Sequence, residues 1–103
     1  MNFAIELRAK VFEDLDKIHR WYERRLCGLG DRFAATFFSS LPVLQRNPTV
    51  YAPYYRDVRH FLLKRFPYGI YFRVEGETVV VFRVFHGSRN QSALRKSLRD
   101  FLE

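Results

Sequence analysis

Basic side chains recur through residues 59–89, at Arg59, Lys64, Arg65, Arg73 and Arg83, and the stretch closes on His86-Gly87-Ser88-Arg89. Guanidinium groups in such density recognise carboxylates or phosphates. His86, with an ordinary imidazole pKa of about 6.5, can give or take a proton near neutrality. It can equally be a structural histidine at a strand end, hydrogen-bonded to backbone. Metal chemistry finds no support: Cys27 is the only cysteine, His19 and His60 read as interface or surface residues, and no cysteine or carboxylate cluster stands at ligand spacing.

The elements that must position these groups can be read from periodicity. Phe3, Ile5 and Leu7 alternate with polar neighbours, so residues 2–8 form a half-buried strand. Phe12, Leu15, Ile18 or His19, Tyr22 and Leu26 recur every three or four residues and predict a helix from about Ala9 to Leu26. Gly28 and Gly30 end it, and Asp31 is placed to cap a second helix that carries Phe33, Phe37, Leu41 and Leu44 to about Arg46. Pro42 predicts a kink or a separate last turn there. The two helices make an antiparallel hairpin. Residues 48–57 read as an irregular, tyrosine-rich loop, whose rings either lie over the core or stack on bases, the core reading being favoured.

Three Val-, Ile-, Phe- and Tyr-rich runs follow, punctuated by Pro67-Tyr68-Gly69 and Glu75-Gly76-Glu77, which is the pattern of a three-stranded antiparallel meander. In its second strand Ile70, Phe72 and Val74 share one face. In the third, Val80, Phe82, Val84 and His86 do. Packing those sets against the hairpin brings Tyr71, Arg73 and Arg83 together on the opposite face. An antiparallel sheet often leaves one face wet, and cations gathered there predict an anionic partner. The register of the strand at 58–65 stays open. Leu94, Leu98, Phe101 and Leu102 give a C-terminal amphipathic helix, capped by Ser92 and carrying Arg95, Lys96 and Arg99, that packs on the free face of the sheet or binds something else.

The expected fold is therefore one α+β domain over residues 1–103: N-terminal strand, helical hairpin, antiparallel meander and short C-terminal helix. At 103 residues there is room for one modest core. The net charge of +7 is uneven, with +2 on residues 1–55 and +5 on residues 56–103. A sequence pI of about 10 favours a polyanionic partner, either nucleic acid or an acidic protein. A single cysteine suits a reducing, cytoplasmic location, and no apolar run approaches the roughly 20 residues that span a bilayer.

Several pieces, in this order and spacing, resemble the RelE/ParE family of bacterial toxins. They are Asp14-Leu15…Ile18…Trp21-Tyr22-Glu23, Gly28-Leu29-Gly30…Arg32-Phe33, Asn47-Pro48, Val58-Arg59, Phe66-Pro67-Tyr68-Gly69-Ile70-Tyr71-Phe72 and Val84-Phe85-His86-Gly87-Ser88-Arg89. The resemblance implies the toxin half of a type II toxin–antitoxin module, needing no cofactor. It also implies neutralisation by an antitoxin protein whose extended C-terminal segment covers the basic face.

Two mechanisms divide that family. The RelE branch cuts mRNA on the ribosome without a metal, using the 2′-hydroxyl as nucleophile and needing an acid, a base and cations for the phosphorane. The resemblance would give Arg65, Arg83, His86 and Arg89 those roles. The ParE branch binds DNA gyrase and blocks it. Arg59, Tyr71, Arg73, Arg83, Arg95 and Arg99 are the residues expected to meet antitoxin or target. Gly87 stands where the nuclease branch often has a tyrosine, and the His-Gly-Ser-Arg ending suits the gyrase branch.

Overall fold

Branched and aromatic residues dominate Tyr68–Glu75 (β4) and Thr78–His86 (β5), and these two strands form the centre of a five-stranded sheet. The structure is a computed structural model and describes residues 2–103. The chain runs through β1 (Ala4–Leu7), α1 (Ala9–Arg25), α2 (Leu29–Arg46), a 3-10 turn (Pro48–Val50), β2 (Pro53–Tyr55), β3 (Val58–Leu62), β4, β5 and α3 (Gln91–Leu102). The sheet order is β1-β5-β4-β3-β2. β1 joins β5 in parallel and the other pairings are antiparallel. The predicted α+β architecture holds, with β2 added where an irregular loop was expected.

The sheet lies between two cores. On one face Val11, Ile18, Phe33, Phe37 and Leu44 of the hairpin pack against Ile70, Phe72, Val79, Val81 and Val84. On the other, Leu94 and Leu98 of α3 cover Val58, Tyr71, Val80 and Phe82. The second face is therefore not wet: α3 closes it. Both α3 leucines are fully buried, each contributing on the order of 2 kcal/mol.

One irregularity reassigns β5. Tyr71 pairs with Arg83, but Phe72 pairs with Val81, so Phe82 is an extra residue on that strand. The bulge shifts the alternation. Val79, Val81 and Val84 face the hairpin, whereas Val80 and Phe82 face α3. The expected common face for Val80, Phe82 and Val84 is thus corrected.

Smaller differences have local causes. β3 pairs Arg59 with Phe72 and Leu62 with Gly69, which fixes its register. The chain then turns at residues 63–67, with Arg65 at φ 69°, so Tyr68 and Gly69 belong to β4 and not to the turn. Gly76, at φ 61°, makes the next turn as expected. The helix α2 runs on past Pro42, which sits on its exposed side together with Phe38, four residues back. α2 is capped not by Asp31 but by Glu23 of α1, whose carboxylate accepts the N–H groups of Gly28, Gly30 and Asp31 at 3.0, 2.7 and 3.2 Å. α3 starts after Asn90, in a left-handed conformation, and not at Ser92.

Candidate functional site

β1 covers the edge of β5 only as far as Val81. Beyond it the edge is open, and α1 fills the gap. Asp14, on the buried side of α1, accepts the Val84 N–H at 3.0 Å and two bonds from the Arg83 guanidinium. Arg83 reaches around the sheet edge from the α3 face, and its third bond, at 2.7 Å, goes to Ser97 Oγ of α3. α1, β5 and α3 are thereby tied at one point.

Next to this tie lies a cleft of about 270 Å³ between α1 and the exit of β5. Its floor is Ile18 and Val84, and Lys17, Tyr68, His86 and Arg89 stand at its rim. His86 is held by its own loop: its Nδ1 accepts the N–H groups of Ser88 and Arg89 at 3.1 and 3.0 Å. Nδ1 therefore carries no proton, and the neutral ring presents Nε2–H outward. Burial, then the Arg89 charge, lowers the His86 pKa below the ordinary imidazole value. Tyr68 meets the His86 ring edge-on at 5.3 Å, and burial raises its phenol pKa. The cleft offers hydrogen-bond donors and two cations to an anionic or polar group. It does not offer a free base nitrogen.

The structure separates the residues grouped by sequence. Arg83, His86 and Arg89 do line one cleft, but Arg65 lies in another, with Arg32, Tyr22 and Phe66 between the hairpin and the β3–β4 turn. Tyr71, Arg73 and Arg83 share a sheet face, yet none is an open, unpaired group. Tyr71 is wholly buried beneath Tyr54 and α3. Arg73 pairs with Glu75, approaches Asp57 at 4.0 Å and lies 5.5 Å from the centre of the Phe82 ring. Arg83 is taken by Asp14. Arg59 donates to the carbonyls of Thr49 and Tyr51 at 3.1 and 2.6 Å, latching the loop before β2. Arg95, Lys96 and Arg99 are exposed on α3.

Sequence reasoning missed Asp14, Lys17 and Tyr68. Pairing β4 with β5 outward from their shared turn would have placed Tyr68 opposite Phe85; only the bulge at Phe82 sets it opposite His86. His19, Glu23 and Asp31 also meet, with ligand atoms within 4.8 Å of one another. Glu23 is engaged there by three N–H donors at a helix N-terminus, where the dipole repels a cation, so the grouping reads as a cap.

The family model described as the ParE toxin of a type II toxin–antitoxin system, parDE, matches residues 5–91. The chain belongs to the ParE toxin family. It is a type II toxin–antitoxin toxin of the wider RelE/ParE group. The matched segment holds the whole cleft from Asp14 to Asn90 and stops as α3 begins. No curated protein sequence matches the toxin.

Three solved structures share its fold. A chromosomal ParDE system from P. aeruginosa aligns with a TM-score of 0.74 at 22% identity, over 82% of the toxin and 95% of that chain. A RelBE toxin–antitoxin complex from Mycobacterium tuberculosis gives 0.57 at 23%, over 84% and 99%. A free E. coli RelE carrying two arginine-to-alanine substitutions gives 0.64 at 12%, over 96% and 98%. Among the described residues no helix of the toxin is long and apolar enough to cross a membrane.

Proposed function

We propose that this ParE-family toxin acts in the cytoplasm by binding DNA gyrase and blocking it, and that a cognate antitoxin protein neutralises it by direct contact. The observation that carries the choice of target is the state of His86. Its Nδ1 lone pair is engaged by two backbone N–H groups, and its pKa is lowered. A neutral imidazole so held is neither a base through Nδ1 nor a charged acid near neutrality. Arg83, one of the two arginines three residues from it in sequence, is already bonded to Asp14 and Ser97. Both facts support a surface that binds over one that cleaves.

The second reading is a ribosome-dependent mRNA endoribonuclease. It is favoured by Tyr68 against His86, with Lys17 and Arg89 at the same cleft. Induction from a tight promoter, followed by a plasmid supercoiling assay and RNA sequencing, decides between them. Blocked supercoiling with intact mRNA supports the gyrase target. Codon-phased mRNA cuts within minutes, with supercoiling intact, sink it.

A further inference from the structure

The outer side of the α1–α2 hairpin, turned away from the sheet, carries two large apolar side chains. Phe12 of α1 is 53% exposed and Phe38 of α2 is 51% exposed. Both border one groove. Gly30 of α2 packs on His19 of α1. Stepping seven residues from each contact along antiparallel helices of equal rise sets Phe12 level with Phe37 and Phe38. Phe37 is buried towards the sheet, which leaves Phe38 the outer position. Leu15 and Leu41, half-buried and one turn from each ring, lie between them by helical spacing. Ala35 and Pro42 extend the apolar patch along α2.

The charges around this patch cancel. Lys10 pairs with Glu13 at 3.5 Å, Asp16 with Arg20 at 2.8 Å, and His19 meets Asp31 at 2.8 Å. Lys10, Arg20 and Arg46 are matched in number by Glu13, Asp16 and Asp31, so the whole net charge of +7 lies on other surfaces. A polyanion gains nothing from such a face. Two copies of a chain this basic repel each other, and they repel least where the local charge is zero.

We infer that the outer face of the hairpin is the seat of a second copy of this chain, joined about a two-fold axis through the groove, so that Phe12 of each copy packs on Phe38 of the other. A two-fold interface requires a patch that complements itself. This one has a ring on either side of the groove at the same level, and both signs of charge at its margin. Two hairpins so joined make a four-helix arrangement with the rings at its centre. Helices of 17 and 18 residues present a face of roughly 25 by 18 Å, or roughly 450 Å² per copy. That total lies below the range of permanent dimers, so the association is weak and reversible, with a Kd on the order of 10 μM. It does not depend on which target the toxin inhibits.

Sedimentation equilibrium of the full-length toxin without antitoxin, over about 1–300 μM, tests this. A monomer–dimer equilibrium is expected within that range. Raising salt from about 0.1 to 0.5 M screens the repulsion between two +7 chains and is expected to tighten the dimer. Phe12→Glu with Phe38→Glu is expected to weaken it about tenfold or more. Val50→Glu with Leu62→Glu makes the same change of charge at two apolar residues outside the hairpin, 63% and 59% exposed, and is expected to shift it by less than about threefold. Phe12→Gln with Phe38→Gln gives the same comparison if the glutamate variant fails to fold, as circular dichroism would show. A monomer at every concentration leaves the face to some other protein and overturns the inference. Equal losses in the two pairs of variants, or a dimer that salt weakens, overturn it as well.

Discussion

Asp14 and Arg83, 69 residues apart in sequence, meet as a two-pronged ion pair, Nε to Oδ2 at 2.7 Å and Nη2 to Oδ1 at 2.8 Å. Their side chains are 8% and 10% exposed. Removing one partner of such a pair strands a charge away from water, so Asp14→Ala is expected to cost about 3–5 kcal/mol. It also orphans the Val84 N–H. The double variant Asp14→Leu with Arg83→Met is expected to recover most of that loss. Urea unfolding of the three proteins checks this, and a double variant no more stable than Asp14→Ala contradicts it.

The Tyr71 hydroxyl is buried without a hydrogen-bond partner. Burial, with Tyr54 near by, pushes its pKa up to about 12. A raised phenol pKa stabilises the fold fully below the ordinary value of about 10, and that stability is lost as pH rises through the folded value. Tyr71→Phe removes an unsatisfied group and is expected to gain up to about 1 kcal/mol at neutral pH. It should also flatten the fall in stability at alkaline pH. Thermal melts across that range measure both.

His86 has the opposite sign. Its pKa is lowered, so the unfolded chain binds the proton more readily. Its contribution is complete above the unfolded value of about 6.5 and is lost as pH falls through the folded value. His86→Gln should make stability less dependent on pH below about 6.5. If the toxin acts by binding, this variant retains growth arrest when expressed without antitoxin. Loss of toxicity in a folded His86→Gln protein would favour the nuclease.

Gly30 is needed for contact and not for a turn. A Cβ there would stand 2.4 Å from the His19 carbonyl oxygen and 2.7 Å from Glu23 Cγ. The carbonyl is helix backbone and cannot yield. Gly30→Ala is expected to prise the hairpin apart at a cost of about 1–3 kcal/mol, while Gly28→Ala, strained by its φ of 90° but with nothing within 4 Å, perturbs no neighbour. Denaturation midpoints and hydrogen exchange in α1 and α2 separate the two effects.

The hairpin, the meander and the tail helix were legible because each rests on local periodicity. Phe33, Phe37 and Leu44 mark one side of α2 whatever they pack against, and Gly76 marks a turn whatever it joins. The face shared by Tyr71 and Arg73 was legible too, since it needs only alternation, whereas Arg83 joins it only through the bulge at Phe82. The state of that face was not. Amphipathic spacing shows that Leu94 and Leu98 must be covered, but not by which surface.

Sequence by itself determined the element order, the basic excess, the hairpin-facing side of β4 and the position of His86 at a strand exit. Tertiary structure alone decided which of the basic residues are free. One bulged residue, Phe82, reversed the parity of β5, and alternation counted along a strand cannot see an insertion. Arg83 was neutralised by a carboxylate 69 residues away, and Glu23 capped a helix it does not belong to. Charge is a property of a residue, but availability is a property of its neighbours, and those are set by packing.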